Sequence, residues 1–513
     1  MKPSNELFEL IKSLTKSEKR FFKLQSSLQS GDKNYVQLFD LIDKMDEYNE
    51  DVVKETFKGE KFIKHLPSEK NHLYKLILKS LRSYYGETSI SSILKQEIKN
   101  IEILYNKSLF NECNKFLERA KKMALKYEKY YYLFELINWE KTLLEESFED
   151  GQFKDLNKMI AEEKDVLERL TNLADYHVLY SKINYVFRSG GYVRTEENKS
   201  IVDEIVNHPL IKGKNTALSK RAATICYYTQ GFCNMANGDY QTALQKFERV
   251  IEILDIESHL KADLSHRYIR ALSNMTTCLI ALGRFDDARI TITRISNCSD
   301  QEGFDTSDVQ TLIFKNTSMA KLELYHTSGD FENAITEAEQ IMQSMMEYEG
   351  KINKENELTF FHHFAFFYFG AGQYSKALYW INKVLNDNEN ELRQDLYSYA
   401  RLFNLAIHYE LGNFDLLEYT IKSTSRYLQK KMRAFPIERL IMEQFKKLIR
   451  IQNINDRKKV FAEFKTELNA LVKGPEDEVI FKFFDFNKWI DSKIQQVPFR
   501  SLIGQGKTEL SAS

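Results

Sequence analysis

A turn built as glycine, any residue, aromatic recurs through the middle of this chain at nearly even spacing, and it restricts the fold more than any other feature. Four copies are complete: Gly238 and Tyr240 with Ala243, Gly283 and Phe285 with Ala288, Gly329 and Phe331 with Ala334, and Gly372 and Tyr374 with Ala377. Gly151 and Phe153 with Leu156, and Gly412 and Phe414 with Leu417, keep glycine and aromatic but replace the alanine. Ser108, Phe110 and Cys113, and Gly191, Tyr192 and Thr195, are degenerate. Glycine just past an apolar-periodic run predicts a helix end, because glycine enters the left-handed region without a Cβ penalty. The aromatic then opens a second helix, and the alanine three residues on shares its face and is small enough for close packing. Phe247, Ile292, Ile381 and Ile421, each seven residues past the aromatic, continue that stripe. Each unit therefore reads as a helix hairpin. The aromatics follow one another at intervals of 39 to 48 residues, the signature of a stacked helical array in which each hairpin buries its apolar face on its neighbour.

The motif resembles the centre of a tetratricopeptide repeat, whose first helix also carries a small residue seven positions before the glycine. Gly231 and Ala365 match there, whereas Thr276 and Leu322 depart from it. The period exceeds that family's roughly 34 residues by about nine, which predicts longer first helices. The terminal proline of the family is missing. The resemblance covers 90–430, is strongest over 217–390, and implies a right-handed α-solenoid whose concave groove takes a protein or peptide.

Composition agrees with an all-α chain. Its 513 residues exceed one compact core, a limit that a solenoid escapes by growing in one dimension. Gly 19 and Pro 6 are low. Lys and Arg number 73 against 74 Asp and Glu, so no global field draws the protein to nucleic acid or membrane. Nucleic acid is thus the less favoured partner, and no membrane is expected. The five cysteines form no CxxC pair, and Cys226 and Cys233 are seven apart on one predicted helix, about 10 Å along its axis and too far for a disulfide. With a charged N-terminal stretch in place of a signal peptide, this predicts a cytoplasmic location. Leu358 to Ser375 lacks charge over 18 residues but contains His362, His363 and the repeat turn, and reads as a buried first helix.

Four regions are expected: a helical cap at 1–86, the array at 90–430, a second helical cap with a basic segment at 431–495, and a disordered tail at 496–513. In the first, Thr15 and Glu18 make a capping box, and Pro67 opens a helix with Leu73, Ile77 and Leu81 on one face. That helix also carries Lys75, Lys79 and Arg82. It supports a rival reading, a partner- or peptide-responsive regulator whose N-terminal domain contacts DNA or an effector; a basic surplus of only three over 1–86 favours the cap. Residues 429–459 hold ten basic against three acidic side chains. On the helix predicted over 437–451, Arg439, Glu443, Lys446 and Arg450 share a face opposite Leu440, Ile441 and Leu448, either a solvated face or a site for an acidic partner or phosphate backbone. A last helix is expected over 477–494.

No catalytic constellation emerges. The sequence from Ile503 to Thr508 lacks the first glycine of a phosphate loop, with Ser501 in its place. Glu323 with His326, and Glu69 with His72, have di-iron spacing but lie in distant elements. No cofactor, metal or catalytic residue is assigned, and the expectation is a non-enzymatic binding scaffold. Counting back from each turn gives groove-facing candidates on the first helices: Tyr228, Phe232, Arg270, Ser273, Asn316, His326, His362 and Phe366.

Overall fold

The computed structural model describes residues 5–27, 34–146, 152–190, 196–387 and 393–503. The described residues are helical, with no strand among them, as the hairpin reading requires. Contacts divide the chain into two compact units, Met1–Val166 and Leu167–Ser513.

The first unit opens with five helices, α1 (Glu6–Ser13), α2 (Lys16–Ser27), α3 (Asn34–Lys44), α4 (Glu50–Thr56) and α5 (Leu66–Tyr84). The capping box forms: the Thr15 amide donates to Glu18 Oε2 at 2.6 Å and the Glu18 amide to Thr15 Oγ1 at 3.2 Å, satisfying donors that a helix start otherwise leaves open. Leu73 and Ile77 of α5 join Phe22, Leu38 and Phe39 in one core. Next come α6 (Ile90–Tyr105), α7 (Phe110–Lys126), α8 (Tyr130–Glu145) and the start of α9 (Gln152–Gly190). Ser108, at φ +58°, takes the left-handed place that glycine holds elsewhere, and Cys113 is fully buried in the alanine position. This degenerate turn therefore forms. Gly151 and the turn at 191–195 lie outside the described residues.

The second unit continues from α9 through α10 (Glu196–Asn207) and α11 (Pro209–Lys212) into five hairpins. These are α12 (Lys220–Ala236) with α13 (Tyr240–Ile256); then, after α14 (Ser258–Asp263), α15 (Ser265–Ala281) with α16 (Phe285–Ser296); α17 (Ser307–Ser328) with α18 (Phe331–Met345); α19 (Lys354–Gly370) with α20 (Tyr374–Leu385); and α21 (Gln394–Glu410) with α22 (Phe414–Lys430). Every second helix starts on the repeated aromatic. Gly238, Gly283, Gly329, Gly372 and Gly412 all have φ between +70° and +76°. In four of the turns the next amide donates five residues back, as Asp239 does to Asn234 at 2.9 Å and Gln373 to Tyr368 at 2.8 Å. This bond uses carbonyls that the helix end strands. Ala243, Ala288, Ala334 and Ala377 are fully buried. Close packing also reaches the first helices, since a Cβ on Gly231 would meet the Phe247 ring at 2.7 Å.

Gly372 isolates the backbone contribution of the turn, because nothing lies within 4 Å of its would-be Cβ. Gly372→Ala should therefore lower unfolding stability by about 1–2 kcal/mol, the cost of holding an L-residue in the left-handed region. Urea titration checks this, and an unchanged midpoint would show that the turn does not need glycine.

Past the hairpins follow α23 (Pro436–Leu448), α24 (Ile454–Leu471), α25 (Pro475–Glu478) and α26 (Phe486–Gln495). The single helix expected over 477–494 is broken. A short 3-10 turn covers Val479–Lys482, and Asp485 caps α26 by accepting the Lys488 amide at 3.0 Å. The tail expected to be disordered from 496 is ordered as far as Ile503. Phe499 and Ile503 are buried, the latter against Gly329, where a Cβ would lie 2.7 Å from Ile503 Cγ2. Residues 504–513, with the rest of the phosphate-loop-like sequence, lie outside the described residues.

Candidate functional site

The residues from Val479 to Ile503 lie against the inner faces of the first helices. Phe483 meets Tyr399 at 4.5 Å between ring centroids, Phe484 stacks on Phe403 at 4.5 Å, and Phe499 meets Phe369 at 5.5 Å. Trp489 is fully buried against Tyr409, Phe445 and Phe461, and its Nε1 donates to Glu410 Oε1 at 2.6 Å. These contacts cover the inner face of α21 and part of that of α19.

Beside them a cavity of about 1070 Å³ stays open, walled by α12, α15, α17 and α19 on one side and by the C-terminal segment on the other. That volume is at the upper end for ligand pockets. Lys482 reaches across to the first of the complete turns, its Nζ donating to Tyr240 Oη at 2.9 Å. On the opposite wall Thr277 Oγ1 donates to Glu323 Oε2 at 3.0 Å, tying α15 to α17.

Four of the eight expected groove residues line this cavity: Phe232, His326, His362 and Phe366. Tyr228 is instead buried behind the wall, its hydroxyl accepting from Asn274 Nδ2 at 2.8 Å. Arg270 is exposed one turn before Asn274, and Ser273 and Asn316 are half-buried away from the lining. Asn316 Nδ2 is turned back onto the Leu312 carbonyl of its own helix at 2.8 Å. The first helices are packed on two sides, so only a narrow strip of each can face the cavity. On α15 that strip runs through Asn274, Thr277, Ile280 and Ala281. Asn274, Thr277, Met319 and His363 were missed for that reason. Lys482, Phe483, Asp485 and Lys488 were missed because no local pattern reports a contact made from the far end of the chain.

Three histidines set the electrostatics of the wall. His326 lies flat on Phe366 at 3.7 Å between centroids, and its Nδ1 is 3.4 Å from Nδ1 of His363, one of the two donating to the other. His362 is buried against Phe403 and Phe483, and its Nε2 has no hydrogen-bond partner among the described residues. Loss of hydration is the main cause holding all three below the ordinary histidine value. His362 is pushed down to about 3 with help from His363 and Arg393, His363 to about 4, and His326 well below 6.5. The three neutral imidazoles and Phe366 thus offer aromatic surface and uncharged hydrogen-bonding groups beside the Glu323 carboxyl group. Among the described residues, no group of three or more His, Cys, Asp or Glu is placed to hold a metal ion.

Residues 153–403 match the family model described as Cohesin loading factor. The matched region, just under half of the chain, runs from the start of α9 to Phe403 in α21 and contains the four first helices of the cavity wall. No curated protein gives a significant match. The five cysteines are free and buried, and no described helix is long and apolar enough to cross a membrane.

Proposed function

We propose that the second unit is a non-enzymatic scaffold built on tetratricopeptide-like hairpins, and that it receives a segment of a protein partner in the cavity along α12, α15 and α17. One observation carries this reading: the chain's own residues 479–503 already lie on the inner face of α19 and α21 through a row of aromatic side chains. The adjoining inner face presents similar chemistry, with Phe232, Met319 and Phe366 among polar groups, next to open volume. An incoming segment with apolar anchors would continue the seam that the C-terminal residues begin. The partial match to the cohesin-loading family supports an adaptor role, and under it the partner belongs to the assembly that loads cohesin. Free, buried cysteines fit a reducing compartment, the cytoplasm or the nucleus.

Photo-crosslinking tests the proposal directly. A benzophenone side chain at Met319 or at Thr327, both on the cavity wall, should capture one and the same protein in cells. The same group at Ile290, 67% exposed on α16, should not. Equal capture from Ile290, or none from the two cavity positions in folded protein, would remove the groove from consideration.

A further inference from the structure

We infer that the paired helices α22 and α23 form a docking face for the phosphate backbone of duplex nucleic acid. Six cations stand exposed there: Arg426 and Lys430 on α22, and Arg439, Lys446, Lys447 and Arg450 along and just past α23. α22 and α23 are joined by residues 431–435 and pack against each other, and the Glu418 carboxyl at the start of α22 is held below the usual range by Lys422 and, more weakly, by Arg450. The end of one helix therefore lies beside the start of the other, and the two sets of cations run along a common antiparallel pair.

The acidic residues nearby do not neutralise this face. Glu438 is buried, Asp456 is engaged by Lys459 at 3.2 Å, and Glu418 is paired with Lys422 at 2.8 Å. Glu443 stands exposed among the cations of α23, and Asp415 and Glu418 are exposed at the start of α22, away from Arg426 and Lys430 at its end. None of the six cations makes an ion pair or side-chain hydrogen bond among the described residues. From Arg439 to Arg450 the face extends about 16 Å, the span of roughly five base pairs.

A duplex is favoured over an acidic protein by what α23 lacks, while on α22 the exposed Tyr419 ring lies beside Lys422. Ile437, Leu440, Ile441, Met442, Phe445 and Leu448 all point inward, so α23 offers no apolar anchor of the kind that carries protein interfaces. Phosphate recognition needs only cations on an accessible surface and carries no sequence information by itself. With the whole chain near neutrality, the attraction is local to this face.

The test is fluorescence anisotropy of the full chain with a duplex DNA of about 24 base pairs, titrated from about 25 to 200 mM NaCl. Binding at low salt should weaken with a log–log slope near −5, five to six phosphate contacts at about 0.9 each. Combined Arg439→Glu, Lys446→Glu and Arg450→Glu should lower affinity at least tenfold and flatten the slope by about 3, removing three contacts. All three sites are exposed, so the melting curve should be unchanged. A second variant, Lys58→Glu with Lys99→Glu and Lys115→Glu, matches the change in net charge at exposed sites of the other unit and should bind as the parent does. Absence of binding at the lowest salt, equal loss in the two triple variants, or an unaltered slope each overturns the assignment. So does a poly-glutamate peptide that binds this face when the duplex does not, which would make it a surface for acidic protein.

Discussion

Trp489→Ala should destabilise the second unit by about 3–5 kcal/mol, the cost of truncating a fully buried aromatic and leaving a cavity. Its ring stacks on Phe445 at 5.4 Å and meets Tyr409 and Phe461 edge-on. Its Nε1 bond to Glu410 is lost as well, although Lys493 still holds that carboxylate at 2.5 Å. The effect should not stay local, because Trp489 fastens α26, and with it Phe483, Phe484 and Phe499, to the inner face of α19 and α21. Urea denaturation followed by tryptophan-independent far-UV dichroism would read the loss, and limited proteolysis should open new cuts after Lys482 and Lys488. A shift below about 1 kcal/mol would mean that the segment is anchored elsewhere.

Acidification is the second large effect. Histidines that are neutral in the folded protein and protonate only at about 3 and 4 bind more protons once unfolded, where the ordinary value is 6.5. Their contribution is therefore complete above pH 6.5 and is lost progressively as the pH falls toward those folded values. Each such group removes up to about 1.4 kcal/mol per pH unit inside that window. Between about pH 7.5 and 5, His362 alone should account for about 2 kcal/mol of lost stability. His362→Gln should shrink the fall between the two pH values by that amount. The substitution can weaken the fold at any pH, so the difference between the two midpoints is the quantity that decides. An identical fall in parent and variant would show that this imidazole is not kept neutral by its site.

The hairpins were legible because their determinants are local. A glycine that must take positive φ, an aromatic at a helix start and a small residue three positions on are all read within ten residues. The turn at Ser108 shows how far the pattern extends, since the fold accepts serine in the left-handed position when the flanking helices hold it there. Thr15 with Glu18 was legible for the same reason: a capping box closes over four residues. Half of the groove candidates reached the cavity and half did not. A helical face can be counted from sequence, but which strip of it stays uncovered depends on how two neighbouring hairpins wedge against it. Tyr228 and Asn274 are the clearest instance, one turned behind the wall and bonded to the other, which faces the cavity.

The sequence by itself determined the class of fold, the hairpin as its unit, where most of the turns fall, and the face of α23 that carries the cations. Each follows from backbone preference or from the 3.6-residue period, which act within a few residues. Only the tertiary structure decided the path of residues 479–503, the burial of Phe499 and Ile503, and the neutral histidine wall of the cavity. Those outcomes rest on contacts between residues far apart in the chain, as when Lys482 bonds to Tyr240. A hydrophobic seam rewards whichever aromatic segment reaches it, and the reach is set by how the hairpins stack.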